Sequence, residues 1–182
     1  MRNIGLVFVW AMLFYSCKEV SFTASQPSGV VALKEVPEVL RGKFQPMDIP
    51  SDEKKDTLII EAWGYHFKDS KDKDWLGRGV ISDSLVIKFY QDYYFVNFRS
   101  GDQWILRLIR QKSSGDLEFL SIDIGDDDKR KQVLKKLSKR MKMVEVRYKD
   151  ETFYQINPTP AQLMQLIKEG YFTSHELRRL KK

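Results

Sequence analysis

The 182-residue chain contains one cysteine and two histidines. A single cysteine cannot form an internal disulfide, so the fold must rest on its core without covalent cross-links. Catalytic triads and zinc centres need several His, Asp, Glu or Cys side chains converging in space, and His66 and His175 offer little material for either. The spacings that mark such chemistry are missing as well: there is no His-Glu-x-x-His, no Cys-x-x-Cys and no Gly-x-Ser-x-Gly. Asp69, Asp72 and Asp74 share a loop with Lys68, Lys71 and Lys73, whose charges oppose a bound cation, and the EF-hand order is absent. No metal and no cofactor are therefore expected. A spanning helix requires roughly 20 apolar residues, and the apolar run from Ile4 to Tyr15 falls short of that. No internal repeat is visible.

What is present at the N-terminus is a single basic residue, Arg2, followed by that short apolar run. A charged n-region and an apolar h-region are the parts of a secretory leader. Phe14-Tyr15-Ser16-Cys17 resembles a lipobox, where cleavage before the cysteine leaves a diacylated N-terminus. Residues 1–16 are thus expected to be a lipoprotein signal peptide, and Cys17 the lipidated first residue of the mature chain. Two or three acyl chains, at about 0.8 kcal/mol per buried methylene, hold a protein on a membrane more firmly than one. Membrane lipid is then the first expected partner, through Cys17.

Cleavage after residue 16 leaves 166 residues (182 − 16), enough for one domain with a real core. The formal charge of +6 becomes +5 once Arg2 is removed. Outside the cytoplasm, nucleic acid is not the partner such a charge implies; anionic headgroups are closer at hand. Aromatic residues are plentiful, with 4 Trp, 8 Tyr and 11 Phe, which suits a sheet-rich core.

Residues 17–34, with Ser, Thr, Pro27 and Gly29 and no clear period, read as a flexible tether, and residues 35–182 as a single α+β domain. Strands are expected at Thr57–Trp63, Ser84–Tyr90, Tyr93–Arg99, Gln103–Gln111 and Leu117–Ile124. The short Gly- and Asp-containing gaps between them predict an antiparallel β-meander. Phe95 points to one face of it, Val96 and Phe98 to the other, so both faces need cover, from helices or from the sheet's own curvature into a half-barrel. Lys129–Lys139 has a helical apolar stripe of Val133, Leu134 and Leu137, with Asp126, Asp127 and Asp128 at its start. Lys142–Tyr148 and Thr152–Ile156 read as a further hairpin. Thr159-Pro160-Ala161-Gln162 is a helix start with a capping box, and Thr173-Ser174-His175-Glu176 reads as the start of a last short helix. The expected architecture is a meander packed with two or three short helices.

Three groups of residues are candidates for contact. Lys131, Lys135, Lys136, Lys139 and Lys142 lie opposite the apolar stripe of their helix, as on a helix that touches an anionic membrane or a protein partner. Trp63, Trp75, Tyr90 and Trp104 are candidates to line a concave surface for a sugar or apolar ligand. His66, near Asp69, is the one candidate base.

Asp56-Thr57-Leu58-Ile59-Ile60, Ser82-Asp83-Ser84-Leu85-Val86-Ile87, Tyr93-Tyr94-Phe95-Val96-Asn97 and Ile156-Asn157-Pro158-Thr159, together with Lys18 and Glu19 after the cysteine, resemble segments of small Bacteroidota lipoproteins of unknown function. The strand segments imply a shared fold and carry no activity; Lys18 and Glu19 after the cysteine point to the outer membrane, with both a surface and a periplasm-facing placement open. The expected function is a non-enzymatic, lipid-anchored domain that binds another envelope protein. The alternatives are a lipocalin-like binder of a small ligand and, behind it, a hydrolase.

Overall fold

A computed structural model describes residues 18–47, 56–68, 77–149 and 151–181. The leader, Cys17, Trp75 and the Asp69, Asp72 and Asp74 side chains lie outside the described residues.

Twelve described strands form one sheet. They are β1 Lys18–Phe22, β2 Gly42–Pro46, β3 Leu58–Glu61, β4 Gly64–Phe67, β5 Arg78–Val80, β6 Leu85–Tyr90, β7 Tyr93–Ser100, β8 Gln103–Gln111, β9 Leu117–Ser121, β10 Met143–Tyr148, β11 Glu151–Ile156 and β12 Thr173–Arg179. Helix α1 spans Asp127–Arg140 and α2 spans Pro160–Lys168. The chain is α+β, and β6 to β9 form the expected antiparallel meander. Its first turn, Gln91-Asp92, has both residues at positive φ (46° and 67°). That two-residue geometry matches the right-handed twist of paired strands.

The sheet forks at β8. One edge of β8 pairs with β7 along its length. The other edge is shared, with Trp104 and Ile105 opposite β1 and Leu108 to Gln111 opposite β9. One branch continues through β11 to β10; the other runs through β12, β2, β3 and β4 to β5. The sheet is mixed, because β1 and β11 run parallel, with Lys18 opposite Thr152 and Phe22 opposite Ile156. A parallel partner needs a long connection, and none of the local turn signals could have announced it.

Two expectations are corrected here. Residues 18–33 are no loose tether: β1 sits inside the sheet with Val20 and Phe22 buried, and the following turn is packed beneath β6 and β7. There, Asn97 accepts a hydrogen bond from the Gln26 backbone N–H at 2.6 Å and donates to the Gln26 carbonyl at 2.8 Å. Lys88, almost fully buried, donates to the carbonyls of Ser25 and Pro27 at 2.7 and 3.0 Å; its burial lowers its pKa. The described domain therefore begins at Lys18, ahead of residue 35. The second correction concerns Thr173–Arg179, which is a strand between β9 and β2. Pairing on both edges outweighs a local capping-box pattern. Strands β2, β4 and β5 were also unanticipated.

The helices follow their sequence signals. Asp126 caps α1 by accepting from the backbone N–H groups of Asp128 and Lys129. Thr159 and Gln162 complete a capping box on α2, with Pro160 in its first turn. Both helices cover one face of the meander: Leu137, Leu163, Met164 and Leu166 pack with Phe95, Leu106, Leu108 and Leu120. Fully burying such a side chain is worth about 1.5–3 kcal/mol. The opposite face, with Leu85, Ile87, Val96 and Ile109, packs against Leu58 and Ile60 of β3, Phe44 of β2, and Val36 and Leu40 around a single 3₁₀ turn, Glu38–Leu40.

Candidate functional site

The two faces differ in how well they are filled. Between β3–β4 and β6–β9 lies a cavity of about 230 Å³. Leu58, Ile60, Leu85, Ile87, Val96 and Ile109 form its aliphatic wall, and Tyr65, Phe67, Phe98 and Phe119 its aromatic wall. Alternation along the strands puts them there. Val96 and Phe98 share a face of β7, and Leu85 and Ile87 share a face of β6, while Phe95, directly before Val96, points to the helices. Tyr65 meets Phe98 edge to face across the space, with ring centroids 6.2 Å apart, an arrangement that favours aromatic pairs. Gly64 also lines the cavity. A Cβ there would come 1.9 Å from the carbonyl oxygen of Gly79, so only glycine lets β4 and β5 approach this closely.

Arg107 is the one charged residue on the lining. Its guanidinium grips Glu19 of β1 through two hydrogen bonds, 2.7 and 3.3 Å, the planar fork suited to carboxylates. It also donates to the carbonyl of Leu106 at 3.1 Å. An apolar chamber whose single described charge is already paired can hold an apolar body. A cavity of roughly 150 Å³ suffices for a benzene-sized guest, so this one has room for a somewhat larger molecule.

Of the aromatics anticipated for such a surface, the three described ones, Trp63, Tyr90 and Trp104, stand elsewhere. Trp63, at the β3–β4 turn, stacks on His66 (centroids 5.8 Å apart, planes 9° apart) under the guanidinium of Arg78. Tyr90 and Trp104 pack against the helix-covered core. Tyr65, Phe67, Phe98 and Phe119 take the place expected for them. The signal that would have found Phe98 and Phe119 is strand parity: each is an even number of positions from a wall residue of its own strand or its pairing partner.

His66 lies 3.7 Å from Glu61. Among the described residues no group of three or more His, Cys, Asp or Glu is placed to hold a metal. Asp126 is spent on the α1 cap, Asp123 accepts from the Gly125 backbone, and Asp127 pairs with Arg130. Lys131, Lys135, Lys136 and Lys139 project from α1 into solvent, and Lys142 is exposed just after it. His175 is on β12, opposite Phe119. No described helix is long and apolar enough to cross a membrane.

No protein-family model, no curated protein and no solved structure matches this chain.

Proposed function

We propose that this chain is a lipid-anchored envelope domain, held on the outer membrane by an acylated Cys17, that binds a small apolar ligand inside a half-barrel made by β2 to β9 with β12 joining β9 to β2. The apolar cavity carries this reading. The half-barrel is supported by contacts that draw the two ends of the β2–β9 array together. Ser82 bridges to Leu85 beside β5, and a strap from Ala32 to Val36 bonds to Ile87 of β6 and Ala62 beyond β3. A protein-binding role would be better supported by one large exposed apolar patch. Among the described residues, the exposed apolar side chains Val31, Val39, Met47, Val80, Phe89, Val144 and Tyr148 are instead spread over six different segments.

The test is binding of an environment-sensitive apolar dye, competed by small aromatic and aliphatic compounds, to the wild type and to Val96→Phe. Val96 is buried on the wall, and the larger ring grows into the void. Dye binding should fall about tenfold or more, because a pocket that has lost its volume keeps neither contacts nor room, while the melting temperature holds or rises. Equal binding by both proteins would remove the cavity from the function. The anchor is tested separately: mass spectrometry of the mature protein should find Cys17 diacylated and residues 1–16 gone.

A further inference from the structure

β1 begins at Lys18, the residue directly after Cys17. On the proposed lipidation of Cys17, on which this inference rests, no slack chain separates the lipid from the folded sheet. A lipid attached there must enter the bilayer within a few ångströms of the N-terminal end of β1, and so fixes which end of the domain meets the membrane.

The strand registers show what lies at that end. Ser21 is opposite Ile105 and β1 runs antiparallel to β8, so its N-terminus points toward the far end of β8. The Glu19–Arg107 pair marks that direction. Leu108 and Ile109 of β8 face Phe95 and Tyr94 of β7, and one step further lies the β6–β7 turn. That hairpin end is aromatic on both faces. Phe89, 47% exposed, tilts against Tyr94 with ring centroids 4.7 Å apart. On the opposite face, Tyr90 and Tyr93 are half-buried, and the Arg110 guanidinium sits 5.6 Å over the Tyr93 ring. Amphipathic rings with a neighbouring cation are the composition of a membrane–water interface. The basic helix makes a poorer candidate. Its acidic start is at this end, because Arg130 and, less strongly, Lys18 hold the Asp127 carboxyl below its ordinary range. α1 then runs away from there, ending shortly before Met143, which is opposite Ile156 and so level with Phe22. Lys139 and Lys142 are carried to the far end of β1.

We infer that the β6–β7 hairpin end, with Phe89, Tyr90, Tyr93 and Tyr94, is the surface the anchored domain rests on the bilayer.

Acylation of Cys17 consumes the chain's one thiol, so a cysteine introduced elsewhere is a unique labelling site. Full-length protein carrying Phe89→Cys, or Gln91→Cys at the turn itself, is labelled with a polarity-sensitive dye. The reference is Asp102→Cys in the β7–β8 turn, about 23 Å away along β7 at 3.3 Å per residue. In vesicles of phosphatidylethanolamine and phosphatidylglycerol doped with spin-labelled lipid, either hairpin label should be quenched about threefold more than the Asp102→Cys label, as burial at headgroup depth requires. Equal quenching, or stronger quenching at position 102, overturns the assignment. A wild-type protein that takes up the dye at Cys17 shows instead that the cysteine is not acylated, and removes both the anchor and the inference built on it.

Discussion

The two faces of the β6–β9 meander are covered in different ways, and the difference separates a core covered by helices from a cavity between strands. On one face, two helices press Leu137, Leu163 and Leu166 into contact with Phe95, Leu106 and Leu108. Side chains from the helices and the strands meet there in one cluster of buried residues. On the other, strands β3 and β4 of the same sheet lie opposite β6 to β9 and leave the 230 Å³ space between them. One sheet thus has a face that is filled and a face that is roomy.

Truncations on the two faces should separate accordingly. Leu108→Ala on the filled face removes a side chain with no exposure and should cost about 4 kcal/mol in urea denaturation, near the upper end for such changes. Lys88→Met should follow at about 3 kcal/mol, since it strands the buried Pro27 carbonyl and the part-buried Ser25 carbonyl, which accept its hydrogen bonds. Faster proteolysis within residues 23–33 should accompany it. Leu58→Ala, on the cavity wall, should cost only about 2 kcal/mol because its side chain already borders empty space. It should also enlarge the range of ligands accepted. Equal costs at Leu108 and Leu58 would erase the distinction between the faces.

The smallest expected effect is one of pH. Asp116 accepts from the Arg179 backbone N–H and from Ser114, which lower its pKa below 3.8. A carboxylate with a depressed folded pKa contributes stability above its unfolded value, and that contribution is lost as pH falls through the folded one. Asp116→Asn should therefore flatten the acid limb of stability below about pH 4 and leave neutral pH little changed, as read from melting temperatures across pH 2–7.

What could be read from the residues follows the range over which each signal acts. The meander was legible because turns such as Gln91-Asp92 are local, and α2 because Thr159, Pro160 and Gln162 are adjacent. β1 carried its own alternation, Val20 and Phe22 inside, Glu19 at the edge of the core, yet its partners lie at residues 104–105 and 152–156, and the Ser- and Pro-containing stretch after it read as linker. Thr173–Arg179 has one apolar residue, Leu177, and becomes a strand only because β9 and β2 offer hydrogen bonds on either side. An apolar hollow among the strands was legible in kind, but its lining differs from the residues expected for it. Trp63, Tyr90 and Trp104 were chosen for their ring size, whereas strand parity, which sends Phe98 and Phe119 inward, decides the lining.

The place of β1 also governs when the protein can fold. The first described strand fills the gap between β8 and β11, and β12 joins β9 to β2, so the described sheet is not continuous until the residues of β12 have been made. Contacts between such distant stretches slow folding, because the long intervening loop must close before they form. The described sheet should therefore be completed only once Thr173–Arg179 has been synthesised. A refolding rate in the millisecond-to-second range of β-rich domains, rather than microseconds, is the expected signature.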